Sequence, residues 1–128
     1  MKDGFARKGN YSVTTITIYH NPRCSKSRAT LALIRDNGCQ LQIIEYLSHA
    51  FSRDELYDIL TKLNMLPRDI LRSADPLYED LNLQNNQLAD DQILDLIIEF
   101  PKLLERPIVV SEFSAIIGRP PENVFHLL

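Results

Sequence analysis

The apolar positions change period several times along the chain, and each change marks an element. Residues 14–20 run Thr-Thr-Ile-Thr-Ile-Tyr-His, β-branched and aromatic, and predict a first strand. Residues 25–37 switch to helical spacing, with Ala29, Leu31, Ala32, Leu33 and Ile34 as a broad apolar face. Arg35 in the last turn and Asn37-Gly38 behind it end that helix. Residues 41–47 read as a second strand. Strand, helix and strand joined this closely predict a parallel pair with a right-handed crossover.

The following stretch is helical throughout. Ser52 with Glu55 forms a capping box, and Leu56, Ile59, Leu60 and Leu63 repeat at helical spacing behind it. Pro67 opens a short helix expected to run to Arg72, and Asp75-Pro76 starts another turn through Leu77 to Leu81. Asp90 or Asp91 is expected to cap a helix carrying Ile93, Leu96, Ile97 and Phe100. Pro101 limits it, with a further turn over 102–105. A strand resumes over 107–110, residues 113–117 are its expected antiparallel partner, and Gly118-Arg119-Pro120-Pro121 opens a last helix burying Val124, Phe125, Leu127 and Leu128.

The order β-α-β, helical insert, β-β-α is that of an α/β, thioredoxin-like fold with a mixed four-stranded sheet. One domain is expected over 14–128, with the all-helical insertion at about 52–105. Residues 1–13, polar and without periodicity, read as a flexible N-terminal tail. Repeats and low-complexity tracts are missing from the sequence.

Composition narrows the function classes. The 128 residues are 45% apolar, enough for a core. A net charge of −3 argues against a broad nucleic-acid footprint. The richest apolar run, 93–100, is broken by Asp95 and Glu99, so no membrane span is expected, and the first residues do not read as a secretory signal. A reducing cytoplasmic setting follows as the expectation, in which two cysteines are free or catalytic rather than bridged.

Cys24 lies where the first strand gives way, through Asn21-Pro22-Arg23, to the first helix. A helix start offers unpaired backbone N–H groups and the positive end of the helix dipole to an anion. Arg23, Lys26 and Arg28 crowd the same turn, and His20 precedes it. A free thiol is only about 3% thiolate at pH 7; lowering its pKa to roughly 6.5 raises the reactive fraction about 20-fold. Cys24 is therefore the candidate nucleophile. Arg72, Arg106 and Arg119 fall at element edges, and a guanidinium fork suits a tetrahedral oxyanion.

Other thiol chemistries fit less well. A phosphatase loop needs an arginine six residues after the cysteine, where this chain has Thr30. A dithiol site needs a second cysteine at the position of Ser27. Cys39 lies past the far end of the first helix, about 20 Å away, beyond disulfide reach. His20, His49 and His126 lie on different elements without ligand spacing, so no metal is expected.

His20-Asn21-Pro22-Arg23-Cys24-x-x-Ser27-Arg28, Leu71-Arg72, Glu105-Arg106-Pro107-Ile108-Val109-Val110 and Gly118-Arg119-Pro120 with Glu122-x-Val124 occur in that order. Together they resemble the glutaredoxin-coupled, ArsC-like arsenate reductases over residues 15–128, in the subgroup whose loop reads Asn-Pro-Arg-Cys-Ser-Lys-Ser. The resemblance implies Cys24 as nucleophile and Arg72, Arg106 and Arg119 as oxyanion-binding residues. It implies that His20 helps to keep Cys24 ionised, that Ser27 is a hydrogen-bond donor near the sulfur, and that Pro107 is cis. It further implies reduction of arsenate to arsenite, with glutathione as co-substrate, glutaredoxin as protein reductant and no tightly bound cofactor. A monomer without nucleic-acid or membrane partners is expected. The alternatives are an Spx-type non-catalytic regulator and another thiol-dependent oxidoreductase; Spx-type relatives lack the full arginine set that this chain retains.

Overall fold

The computed structural model describes residues 15–128; the tail expected over 1–13 lies outside the described residues. The strands are β1 (Thr15–His20), β2 (Gln40–Glu45), β3 (Ile108–Val110) and β4 (Ala115–Ile117). They form one mixed sheet in the order β2-β1-β3-β4. β1 pairs in parallel with β2, Ile16 opposite Leu41 and His20 opposite Glu45. β3 lies antiparallel to β1, Ile18 opposite Val109, and β4 antiparallel to β3. This is the expected thioredoxin-like sheet.

Both faces of the sheet are covered. Ile16 and Ile18 of β1 pack with Leu31 and Ile34 of α1 (Ser25–Asp36), with Val109 and with Val124. Tyr19 turns to the opposite face, as strand alternation requires. There it joins Leu56, Ile59 and Leu60 of α2 (Arg53–Leu63) and Ile93, Leu94 and Ile97 of α4 (Asp90–Glu99). Between these helices lie a 3₁₀ turn, Pro67–Ile70, and the five-residue α3, Pro76–Asp80; a second 3₁₀ turn, Pro101–Leu103, follows α4. No helix among the described residues is long and apolar enough to cross a membrane.

Local signals account for most boundaries. Ser52 Oγ accepts from the Glu55 N–H at 3.1 Å, so the N-cap lies where expected, but the Glu55 carboxylate turns to Tyr19 and His49 and the reciprocal half of the capping box does not form. Asn64, with φ of 57°, ends α2 in the left-handed conformation that asparagine tolerates. Gly38, at φ +71°, follows the C-cap Asn37 of α1. Asp75 Oδ1 caps α3 by accepting from the Leu77 N–H at 2.9 Å.

Several expected details are corrected. α4 is capped by Ala89, whose N–H donates to Gln92 Oε1 at 2.8 Å, and not by Asp90 or Asp91, which occupy the first turn. β2 covers 40–45 rather than 41–47; Tyr46–Ser48 turn as a 3₁₀ helix and leave Leu47 exposed. β4 begins at Ala115, and Phe113 is 85% exposed in the turn before it. The last helix is a 3₁₀ helix, Pro121–His126, whose threefold period buries Pro121 and Val124, half-buries Leu127, and exposes Phe125 and Leu128. In α1 the buried stripe is Ser27, Thr30, Leu31 and Ile34; Ala29 and Ala32 are exposed.

Candidate active site at the start of α1

Cys24 is the N-cap of α1, with extended backbone angles. Its N–H donates to the Asn21 carbonyl at 3.0 Å, and its carbonyl accepts the first helical bond, from the Arg28 N–H, at 3.0 Å. The cap side chain is a sulfur beside the amino end of the helix, and it makes no capping hydrogen bond of the usual kind. Partial burial pushes the Cys24 thiol up. The nearby Ser27 backbone N–H, Arg106 guanidinium and Lys26 backbone N–H favour the thiolate and outweigh that effect, so the thiol lies below its ordinary range. The deciding cation comes from far along the chain. Arg23, Lys26 and Arg28, expected to share this role, are exposed on the turn, and Arg28 Nη1 donates to the Pro22 carbonyl at 3.0 Å.

Ser27 and His20 form a buried pair behind the cysteine turn. The Ser27 backbone N–H is among the groups that favour the Cys24 thiolate. The fully buried hydroxyl accepts from the Asn21 N–H at 3.0 Å and lies 2.6 Å from His20 Nδ1. Burial, opposed by the Glu45 charge and assisted by Arg35 and Arg28, holds the His20 imidazole below its usual pKa. The ring is therefore neutral at pH 7, and we assign its proton to Nε2, so that Nδ1 accepts from Ser27. His20 is thus tied through Ser27 to the loop between β1 and α1.

The three arginines reach the region by different routes. Arg106 follows an isolated antiparallel bridge between Leu71 and Leu104 and precedes Pro107, whose peptide bond is cis as expected. Its Nε is buried without a hydrogen-bond partner among the described residues. Arg72 lies beyond the 3₁₀ turn that ends at Ile70, not at its end. Its N–H donates to the Leu103 carbonyl at 2.6 Å, and its Nη1 donates to Asp75 Oδ2 at 3.2 Å. Arg119 is exposed and donates through Nη1 to the Arg106 carbonyl at 3.1 Å, beside a second cis bond at Pro120. Arg106 is thus the arginine whose charge acts on Cys24, Arg72 stands in the helical insert paired with Asp75, and Arg119 braces the main chain that carries Arg106.

Two residues to which the sequence assigned no role, Asn21 and Tyr46, complete the site. The register of β1 with β2 sets Asn21 and Tyr46 side by side beyond the carboxyl ends of the parallel strands, where open α/β sheets bind ligands. Tyr46 is 1% exposed. Burial raises its hydroxyl pKa; the Arg106 charge, a hydrogen bond with the Asn21 side chain and the Arg72 charge oppose that rise, while Cys24 adds to it. One buried hydroxyl thus feels both arginines and the thiol. The parallel pairing of residues 15–20 with 40–45 was the signal that could have located it.

Gly118 seats the helix. A Cβ there would lie 2.6 Å from Thr30 Oγ1 and 2.8 Å from Pro107 Cγ, so only glycine lets α1 approach the segment that carries Arg106. Among the described residues no group of acidic, histidine or cysteine side chains is arranged to hold a metal.

The ArsC family model matches residues 19–127, a span that includes Cys24 and all three arginines. The chain belongs to the ArsC family. An arsenate reductase of Haemophilus influenzae is 45% identical over 115 residues, covering 89% of this chain and 99% of its own. The uncharacterized protein YfgD of Escherichia coli K12 is 42% identical over 114 residues, covering 88% and 96%. The solved structure of an arsenate reductase from Vibrio cholerae superposes with a TM-score of 0.88 at 44% identity, covering 91% of this chain and 100% of that one.

Proposed function

We propose that this chain is an oxidoreductase that reduces arsenate to arsenite, with thiolate Cys24 as the nucleophile. One observation carries the proposal above the others: Cys24 caps the positive end of α1, where the Ser27 and Lys26 backbone N–H groups and the Arg106 guanidinium hold its thiol below the ordinary range. The arsenate reductases of Haemophilus influenzae and Vibrio cholerae match nearly the full length of this chain, and their named activity supports the same reading.

Arsenate, a tetrahedral oxyanion, binds at the first turn of α1. Arg106, Arg72 and Arg119 surround it, and the buried, unpartnered Arg106 Nε gains an acceptor whose absence is costly. Cys24 attacks arsenic; a sulfur–arsenic bond forms, and one oxygen leaves as water after protonation. Glutathione then bonds to the arsenic through its own sulfur, and a second oxygen leaves as water. The glutaredoxin thiolate attacks that glutathione sulfur, and the electron pair of the broken sulfur–arsenic bond stays on arsenic. Arsenic(V) becomes arsenic(III), while the glutathione and glutaredoxin sulfurs are oxidised to a mixed disulfide. Water releases arsenite and restores Cys24. Charge that builds on oxygen during attack is met by donors already in place. Neither a local resolving thiol nor a bound cofactor enters this scheme, and the protein acts as a cytoplasmic monomer.

The test is a coupled assay with arsenate, glutathione, glutaredoxin, glutathione reductase and NADPH. Arsenate-dependent NADPH consumption that is lost in Cys24→Ser is the expected result. Folded wild-type protein that consumes no NADPH beyond the arsenate-free control overturns the proposal.

A further inference from the structure

Arg72 does not stand alone in the insert. Its Nη1 donates to Asp75 Oδ2 at 3.2 Å, and Asp75 is 8% exposed. The pair closes a short turn in which the Asp75 N–H also donates to the Arg72 carbonyl at 3.1 Å. The other carboxylate oxygen, Oδ1, accepts from the Leu77 N–H at 2.9 Å and faces Lys102 Nζ at 3.6 Å. A single nearly buried carboxylate therefore joins the start of α3, the half-buried Arg72 and the exposed Lys102, which comes from the 3₁₀ turn after α4. Among the described residues Nη1 is the only guanidinium nitrogen of Arg72 in a hydrogen bond. The remaining donors of the fork are left for another acceptor, in an orientation fixed by the carboxylate behind them.

We infer that Asp75 is the positioning residue for Arg72: the carboxylate holds the guanidinium from behind, so that the fork meets the oxyanion in the attacking geometry. The inference rests on the arsenate-reductase reading. Its physical content is a trade. A nearby negative charge opposes anion binding in the ground state, while a fixed fork favours the transition state. Removing only the charge therefore has opposite effects on the two. Binding tightens and turnover slows, a pattern expected when pre-organisation is lost. General loosening of the insert weakens both.

Asp75→Asn is the informative variant, because asparagine is as good an N-cap as aspartate and keeps an oxygen for the Leu77 N–H. Two readouts are taken on the full chain: kcat in the coupled assay, and the arsenate concentration that half-protects Cys24 from iodoacetamide. For Asp75→Asn, kcat is expected to fall about tenfold and the half-protecting concentration to fall about threefold. Asp75→Glu is expected to restore most of kcat. In an Arg72→Gln background Asp75→Asn is expected to change either readout by less than about twofold, because the group through which it acts is gone. Wild-type values in Asp75→Asn, weaker protection, or an equal loss in the Arg72→Gln background overturns the inference. Wild-type protein that is protected by arsenate but does not turn over overturns only the reductase reading, and the protection data then decide the role of Asp75. Absence of protection in the wild type overturns both.

Discussion

The two ends of α1 carry the two cysteines of the chain, and both are half-buried and free. Cys24 caps the amino end. The Ser27 and Lys26 amides and the Arg106 guanidinium favour its thiolate. Cys39 lies three residues past the carboxyl end, beyond Asn37 and Gly38, and packs against the cluster that includes Ile16, Ile34 and Val109. The side chain and its exposure class are the same, so neither explains a difference in chemistry. Position on the helix dipole and a cation delivered by the fold do. At one end the backbone presents donors to a sulfur; at the other it presents carbonyls, and the thiol is a small apolar filler.

The sharpest way to break this comparison is to exchange the roles of the cysteines. Cys24→Ser is expected to lower arsenate turnover at least about 10³-fold, whereas Cys39→Ser leaves it within about twofold. Comparable losses in both variants would mean that the amino end of α1 confers nothing special. Seating comes next. Gly118→Ala is expected to cost about 1–3 kcal/mol in denaturant unfolding, because the added methyl meets Thr30 and Pro107 below contact distance. Its remaining folded protein should show slower alkylation of Cys24 and unchanged alkylation of Cys39; unchanged Cys24 reactivity would separate the helix seat from the thiol.

Arg106→Met isolates the distant cation from the amides. The pH midpoint for Cys24 alkylation is expected to rise, which slows the reaction near pH 7. No movement of that midpoint would assign the activation to the helix terminus alone. The smallest effect belongs to His20. Its folded pKa lies below its unfolded value, so the neutral ring contributes stability that is complete above the unfolded pKa and is lost as pH falls through the folded one. Unfolding free energy is expected to decline as pH falls below about 6.5, and less steeply in His20→Gln. Parallel slopes in the two proteins would show that another group carries the pH dependence.

Much of this was legible along the chain because it depends on neighbours in sequence. A strand that ends in Asn21-Pro22 followed by a helical pattern puts Cys24 at a helix start whatever the rest of the protein does. Ser52 with Glu55 fixes the start of α2 for the same reason. Errors arose where period or polarity misled. Phe125 and Leu128 looked buried at α-helical spacing, but a 3₁₀ turn of three residues selects Pro121, Val124 and Leu127 instead. The apolar face read from Ala29, Leu31, Ala32, Leu33 and Ile34 leaves out Ser27 and Thr30, which are the fully buried polar members of α1, bonded to His20 and to the Lys26 carbonyl.

The sequence by itself determined the elements, the parallel start of the sheet, and the thiol at the positive end of a helix. These follow from propensity, capping and pattern, which act over a few residues. Only the tertiary structure decided that Arg106 acts on Cys24 while Arg119 braces the Arg106 carbonyl. It alone placed Tyr46 beside Asn21 and bound Arg72 to a nearly buried carboxylate that also faces Lys102. A guanidinium carries no local signal of its partner: its charge and long stem are the same at the surface and in a site, and the path of the chain between distant segments sets which group it meets.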